Sequence, residues 1–230
     1  MTTGGSWYLL RSGACEPAYN MAFDQALLEN AAAIGRPVLR FYGWTEPAAT
    51  FGYFQKYADI ARWTHLRPLI RRPTGGGLVP HDADWTYSLV FPPTAPWYLL
   101  KATESYQRVH EWIKTAFEKM GISTEQAPCC KKSLPGQCFV GHEKFDVLWH
   151  DRKIAGAAQR RNREGLLIQG SVQPLPVKLS RADWEEAMRK EGVRILGADC
   201  EIFTPPSPFV ARVAELREKI YSQPCHNERR

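Results

Sequence analysis

The sequence predicts an α+β domain with a mixed, largely antiparallel sheet flanked by helices. Short strand-prone runs and amphipathic helices are interspersed without the regular strand–helix alternation of a parallel α/β fold. Phe145 to Trp149 and Arg152 to Arg160 flank the two-residue break His150-Asp151, which is the spacing of an antiparallel hairpin. Asn162 to Gly165 then turns the chain into Leu166 to Val172, giving three adjacent strands. The composition, 44% hydrophobic and 23% charged over 230 residues, is that of an ordinary globular protein with enough chain for one large core.

Taken in order, Trp7 to Arg11 reads as an opening strand. Tyr19, Ala22, Phe23, Ala26 and Leu27 then recur at helical spacing across a polar background, which predicts an amphipathic helix. Val38 to Tyr42 and Thr50 to Tyr53 are β-prone runs separated by a turn at Trp44-Thr45-Glu46-Pro47. Leu69 to Arg72, Gly77 to Pro80 and Trp85 to Phe91 continue the strands. Between Glu104 and Met120 the apolar residues Tyr106, Val109, Ile113, Phe117 and Met120 fall three or four apart, predicting a helix closed by Gly121. After Pro174 and Pro176 the chain turns helical, around Arg181 to Arg189 and again from Val210 to Tyr221.

Several function classes are disfavoured at this level. Met1 to Ser6 lacks the basic end and apolar run of a secretory leader, and no run reaches transmembrane length, so a cytoplasmic protein without a membrane role is expected. The six cysteines, Cys15, Cys129, Cys130, Cys138, Cys200 and Cys225, are too irregularly spaced for a disulfide scaffold and suit a reducing compartment. No Cys-x-x-Cys or His-x-x-x-His spacing accompanies the Cys129-Cys130 pair, so no metal site is expected. A net charge of +6 favours acidic partners. The densest basic stretch, Arg152 to Arg163, is interrupted by Ile154-Ala155-Gly156-Ala157-Ala158 and reads as strand, which argues against nucleic acid.

Three segments could carry chemistry. Arg71-Arg72-Pro73-Thr74-Gly75-Gly76-Gly77 combines glycines that let a backbone approach a ligand with two arginines. It lacks the Gly-Lys-Ser/Thr ending of a Walker loop, and a plain glycine-bearing hairpin fits it equally. His81 beside Asp82 could orient a polar substrate or exchange protons, or simply form a bonded loop pair. Cys138, in Pro135-Gly136-Gln137-Cys138-Phe139, precedes the hairpin whose second strand carries Lys153. A nearby ammonium can stabilise a thiolate for nucleophilic attack, although inert cysteines and solvated strand-end lysines are common.

Taken together, the segments resemble the lipoate-protein ligase and octanoyltransferase superfamily, which includes biotin-protein ligases. Asn20-Met21-Ala22-Phe23-Asp24-Gln25-Ala26-Leu27 looks like the first helix of that family. Leu39-Arg40-Phe41-Tyr42-Gly43-Trp44 and Phe51-Gly52-Tyr53-Phe54-Gln55 look like its following strands. Arg71 to Asp82 is similar to its most recognisable motif, and Arg152-Lys153-Ile154-Ala155-Gly156-Ala157-Ala158-Gln159 to its second. Within the family, Cys138-Phe139 ahead of the Lys153 hairpin resembles the nucleophile segment of LipM-type octanoyltransferases. Ala83-Asp84-Trp85 stands where many ligases carry Gly-Asn, and no additional C-terminal domain follows. Gly77 is ligase-like, since many octanoyltransferases have arginine there, and Gln169 stands where relatives often have histidine.

The resemblance implies one catalytic domain over residues 1–230, with a helical C-terminal segment from about 177, in a biotin/lipoate protein ligase-like fold. It implies that Cys138 and Lys153 react, with Lys153 on the acyl carbonyl. Arg71, Arg72, Thr74, Gly75, Gly76, Gly77, His81, Gly156, Ala157, Gln169 and Ser171 would surround the substrate. The implied reaction moves an octanoyl group from acyl carrier protein, through a Cys138 thioester, to a lysine of a lipoyl domain or glycine-cleavage H protein, by a monomer that needs no cofactor. Two alternatives stand beside it: an ATP- and magnesium-dependent lipoate or biotin ligase acting through an acyl-adenylate, and a non-catalytic acyl-binding module.

Overall fold

The computed structural model describes residues 6–132, 139 and 141–229. Its elements run β1 (Trp7–Cys15), α1 (Pro17–Glu29), α2 (Ala31–Ile34), β2 (Val38–Trp44), β3 (Ala48–Phe51), α3 (Tyr57–Trp63), β4 (Leu69–Arg71), β5 (Val79–His81) and β6 (Trp85–Phe91). They continue as α4 (Pro96–Leu99), α5 (Ala102–Lys119), β7 (Glu125–Gln126), β8 (Lys131–Lys132), β9 (Gly141–His142), β10 (Val147–Trp149), β11 (Arg152–Asn162) and β12 (Gly165–Val172). The last part comprises α6 (Arg181–Leu196), β13 (Cys200–Ile202), α7 (Ser207–Leu216), a π-helical turn (Arg217–Tyr221) and α8 (Pro224–Asn227).

Eight strands form the main sheet in the order β13-β1-β2-β6-β12-β11-β10-β7. The β13/β1 and β1/β2 pairs are parallel and the others antiparallel, so the sheet is mixed in the expected sense. Its central strands are apolar on both faces because both are covered. Leu39 and Phe41 of β2 and Leu166 and Ile168 of β12 meet Val109, Trp112, Ile113 and Phe117 of α5 and Trp184 and Met188 of α6. The alternate residues Val38, Tyr42 and Leu167 meet Met21, Ala22 and Leu27 of α1 and Val213 of α7. This period-two division is what places chosen side chains on one side of a strand.

The predicted hairpin forms with Trp149 opposite Arg152, and His150 and Asp151 take the two positive φ angles, 47° and 58°, of a tight two-residue turn. Gly121, at φ +78°, ends α5 as expected. Two features differ from the sequence reading. The strands β3, β4 and β5 separate into a small sheet of order β4-β3-β5, with its own core of Phe51, Ile60, Leu69 and Leu78. The short elements α2, α3, α4, α8, β7, β8, β9 and β13 were not foreseen: the longest of them, α3, has seven residues, too few to show a period.

Candidate active site

The small sheet leans against the main sheet, and between them lies a narrow slot with about 450 Å³ of empty space, counting its open mouth. Its wall on the hairpin side is β11 at Gly156, Ala157 and Ala158, and its floor is β12 at Gln169, Gly170 and Ser171. Residues lacking bulk make room here, since β11 and β12 pair Gly156 with Ser171 and Ala157 with Gly170. Thr50, Arg72, Val79 and His81 close the opposite side, with Met21, Tyr42, Trp44 and Thr86 between, and Phe139 and Lys153 complete the lining. The exposed lining is largely hydrocarbon, which suits an aliphatic ligand with one polar end.

Lys153 supplies the polar end. Its Nζ lies 2.7 Å from Asp146 Oδ2, with side chains 6% and 0% exposed, so this ammonium is buried and paired rather than solvated as strand-end lysines commonly are. It sits 5.0 Å from the centre of the Phe139 ring. The aliphatic stem folds across Gly156, where an added Cβ would come within 2.6 Å of Lys153 Cε and 2.7 Å of Nζ. Asp146 also accepts from the Glu143 amide at 2.6 Å and from the Tyr106 hydroxyl. Among the described residues, Asp146 and the Phe139 ring are the groups that engage Lys153 Nζ, whereas an ammonium has three N–H donors. Donor capacity therefore remains for a ligand's carbonyl oxygen.

A second polar cluster sits beneath the slot. Asp24 accepts from Arg40 at 2.8 Å, Tyr42 at 2.9 Å, Ser88 at 2.8 Å and Gln169 at 2.8 Å, all of them buried. Arg40 directs three further N–H groups to Ser12, Asn20 Oδ1 and the Asn20 carbonyl, and lies over the rings of Phe23 and Tyr42. Burial, with the Asp24 carboxylate beside it, pushes the Tyr42 hydroxyl well above its ordinary pKa, so it stays protonated and donates. The cluster fixes the Gln169 carboxamide, whose Oε1 accepts from Thr74 at 2.8 Å.

The glycine motif is held by contacts of its own. Arg72 donates to the carbonyls of Gly75 and Gly77, which ties the loop closed. Gly52 packs so tightly on Gly76 that a Cβ there would lie 2.0 Å from the Gly76 oxygen. Thr74, Gly75, Gly76 and Gly77 stay outside the slot lining, and so does Arg71, which donates to the backbone carbonyls of Tyr53, Gln55, His226, Asn227 and Arg229 and pins the C-terminal turn. His81 pairs with Asp84 at 2.9 Å and Thr50 at 2.8 Å and stacks on Trp44, while its sequence neighbour Asp82 is exposed.

Of the residues singled out from sequence, the slot brings together Arg72, His81, Lys153, Gly156, Ala157, Gln169 and Ser171. Cys138 lies outside the described residues; Phe139, which follows it in the chain, lines the slot. Sequence reasoning missed Asp146, Asp24, Trp44 and Thr86. The Asp24 signal was present as an acid on the apolar face of a predicted helix. Asp146 was legible only as a carboxylate opening the strand opposite Lys153. Among the described residues no three His, Cys, Asp or Glu side chains gather as a metal-binding group, and no helix is long and apolar enough to cross a membrane.

Residues 16–181 match the lipoyl protein ligase A/B catalytic domain. Octanoyltransferase LipM of Halalkalibacterium halodurans is 33% identical over 180 residues, covering 73% of this chain and 65% of the relative. The chain thus spans about two thirds of that relative's length. The structure superposes on protein Ta0514 of T. acidophilum, described as a candidate lipoate protein ligase, with a TM-score of 0.82 at 20% identity, covering 97% and 99% of the two chains. It also superposes on the bipartite lipoate protein ligase of Thermoplasma acidophilum, with a TM-score of 0.77 at 20% identity, covering 97% and 96%. These two likenesses are of fold.

Proposed function

Because the chain belongs to the lipoyl protein ligase A/B catalytic-domain family, we propose that it is an octanoyltransferase, moving an octanoyl group from acyl carrier protein to a lysine of a lipoyl domain or glycine-cleavage H protein. The observation that carries this reading is the apolar slot with a buried ammonium, Lys153, in its lining, one that the described residues engage only through Asp146 and the Phe139 ring. Relatives at about 33% identity that bear the name octanoyltransferase LipM support the same chemistry. A lipoyl domain as acceptor is supported by the archaeal ligase, which is described together with its E2 lipoyl domain.

In the first step the Cys138 thiolate attacks the carbonyl carbon of the carrier-bound thioester. The carbon–sulfur bond to the carrier breaks, the carrier thiolate leaves, and the octanoyl group is held as a Cys138 thioester. In the second step a neutral lysine amine of the acceptor attacks the same carbon. The bond to Cys138 breaks, and the proton lost by the amine returns to the departing sulfur. The first step exchanges thioesters at little net cost, and the second forms the more stable amide, so neither needs ATP. In both steps negative charge grows on the carbonyl oxygen, and Lys153 is the donor that meets it, a contribution of about 3 to 4 kcal/mol for a well-placed donor. The slot holds the aliphatic chain and excludes water from the thioester. Phe139, beside the nucleophile in sequence, and the wall Gly156–Ala158 keep it narrow.

Intact-protein mass spectrometry after mixing with octanoyl carrier protein, without ATP, tests the reading. The expected result is a mass gain of one octanoyl group that is absent from Cys138→Ala. An enzyme that acylates its acceptor only with ATP and free acid, and equally well as Cys138→Ala, would be a ligase instead. One that retains the acyl chain without transferring it would be a binding module.

A further inference from the structure

We propose that Asp146, backed by Tyr106, is the positioning residue that aims Lys153 at the acyl carbonyl; this deepens the transferase reading and rests on it for the identity of the carbonyl.

The arrangement around Asp146 is over-determined in a way that a surface turn is not. Phe145, the residue before it, has φ +75°, a conformation that a bulky side chain adopts only when its surroundings impose it. The imposing contacts are on both sides. The Phe145 amide donates to Ala127 O at 2.8 Å, the Ala127 amide donates to Asp146 O at 2.8 Å, and the Asp146 amide donates to Glu143 O at 3.2 Å. The side chain closes the same turn by accepting from the Glu143 amide at 2.6 Å. With the backbone held in this way the carboxylate has one direction left, inward, and it is fully buried there.

Its two oxygens divide the work. Oδ1 accepts from the Tyr106 hydroxyl on α5, and Oδ2 lies 2.7 Å from Lys153 Nζ. A lysine carries four rotatable bonds, and an ammonium is a compact charge without directional preference, so by itself it would sample the slot. Pinning one N–H on a fixed carboxylate holds Nζ in a defined place, 5.0 Å from the Phe139 ring centre and over Gly156, where no Cβ competes for the space. An ammonium aimed in advance loses little on reorganising as charge develops, which is the condition for strong stabilisation of a developing oxyanion. The carboxylate also offsets the cost of burying the lysine's charge. Asp146 thus acts through Lys153.

The test is a double-mutant cycle on acyl-enzyme formation with octanoyl carrier protein. Asp146→Asn keeps the shape of the side chain, and misplacing a reacting group costs on the order of 10-fold to 100-fold in rate. That loss is expected in kcat, with KM for the carrier within about twofold because the apolar lining is untouched. Tyr106→Phe, lacking one hydrogen bond to the carboxylate, is expected to lose roughly threefold to tenfold. In a Lys153→Met background both losses should vanish, since there is no ammonium left to aim. Losses that persist in that background, or an Asp146→Asn enzyme at wild-type rate, overturn the proposal.

A second measurement needs no turnover. The Lys153 ammonium in ¹⁵N-lysine-labelled protein should give a slowly exchanging, buried NMR signal that Asp146→Asn removes, and a signal unchanged by the substitution also overturns it. If the wild-type protein forms no acyl-enzyme while that signal behaves as stated, the transferase reading fails and the Asp146 contact to Lys153 stands.

Discussion

Two buried ion pairs flank the slot, and they are built in opposite ways. Asp24 and Arg40 are nearly saturated among the described residues: the carboxylate accepts four hydrogen bonds, and the guanidinium commits four of its five N–H donors, to Ser12, Asn20 and Asp24, while stacked on two rings. Asp146 and Lys153 are equally buried, but among the described residues the lysine keeps donors that the protein does not use. Burial of charge alone therefore does not mark a reacting group. The first pair organises the floor that holds Gln169; the second suits ligand binding, because donors without water to fall back on gain most from a ligand.

The comparison breaks most severely if Asp24 proves dispensable. Asp24→Ala leaves Arg40 buried without its counter-ion, which costs about 3 to 5 kcal/mol. The expected result in urea or thermal unfolding is a protein at or beyond the edge of stability, with acyl binding and transfer lost together. Lys153→Met, an apolar replacement of similar length, likewise strands a buried carboxylate, Asp146, which keeps only its Tyr106 and Glu143 donors, so it should cost a comparable amount, about 3 to 5 kcal/mol, with transfer lost.

A smaller effect sharpens the contrast on the Lys153 side. His110 on α5 is fully buried, donates from Nδ1 to the Tyr106 carbonyl, and has no partner for Nε2 among the described residues. Burial pushes its pKa down from 6.5 to about 4, and the nearby Asp146 carboxylate only partly opposes this. Below pH 6.5 the unfolded chain therefore binds a proton that the folded protein refuses. The stability contributed by neutral His110 is complete above about pH 6.5 and drains away as pH falls towards 4, by about 3 kcal/mol in total. His110→Gln should flatten this acid limb in denaturant titrations at pH 4, 5, 6 and 7; a limb of unchanged slope would assign it to other groups.

Gly156→Ala probes the same pair from its other side. The new methyl would come within 2.6 Å of Lys153 Cε and 2.7 Å of Nζ, and making room means drawing the ammonium off buried Asp146, so a loss of up to about 3 kcal/mol in unfolding is expected. The rate should also fall at least about tenfold, because the ammonium leaves its aimed position. Gly170→Ala is the control on the same slot: its methyl would meet the ring of fully buried Tyr87 at 2.1 Å, which cannot yield, so there stability fails.

The strands and the longer helices were legible from sequence because buried strands read as β-prone runs, as in Trp85–Phe91, and a period of 3.6 survives where one helix face is buried, as in Ala102–Lys119. The small sheet was legible only as extra strands, since three-residue strands carry no information about which neighbour they pair with. In the candidate site, Lys153, Gly156 and Ala157 stood out by motif. The glycine loop stood out as a motif, but that Arg72 ties it down and that Gly52 must approach it closely are contacts between distant segments that leave no spacing in the sequence. Asp146 was hidden because its importance comes from a strained turn and a cross-strand contact, neither of which leaves a spacing in the sequence.

The central claim is that the unspent donors of Lys153 hold the carbonyl oxygen of the acyl group. Isotope-edited infrared spectroscopy of the acyl-enzyme formed from 1-¹³C-octanoyl carrier protein reads that contact on the reacting bond itself. A thioester carbonyl stretch displaced to lower frequency in the wild-type enzyme, and returned to the free-thioester position in Lys153→Met, is the predicted result. The same frequency in both proteins would contradict it.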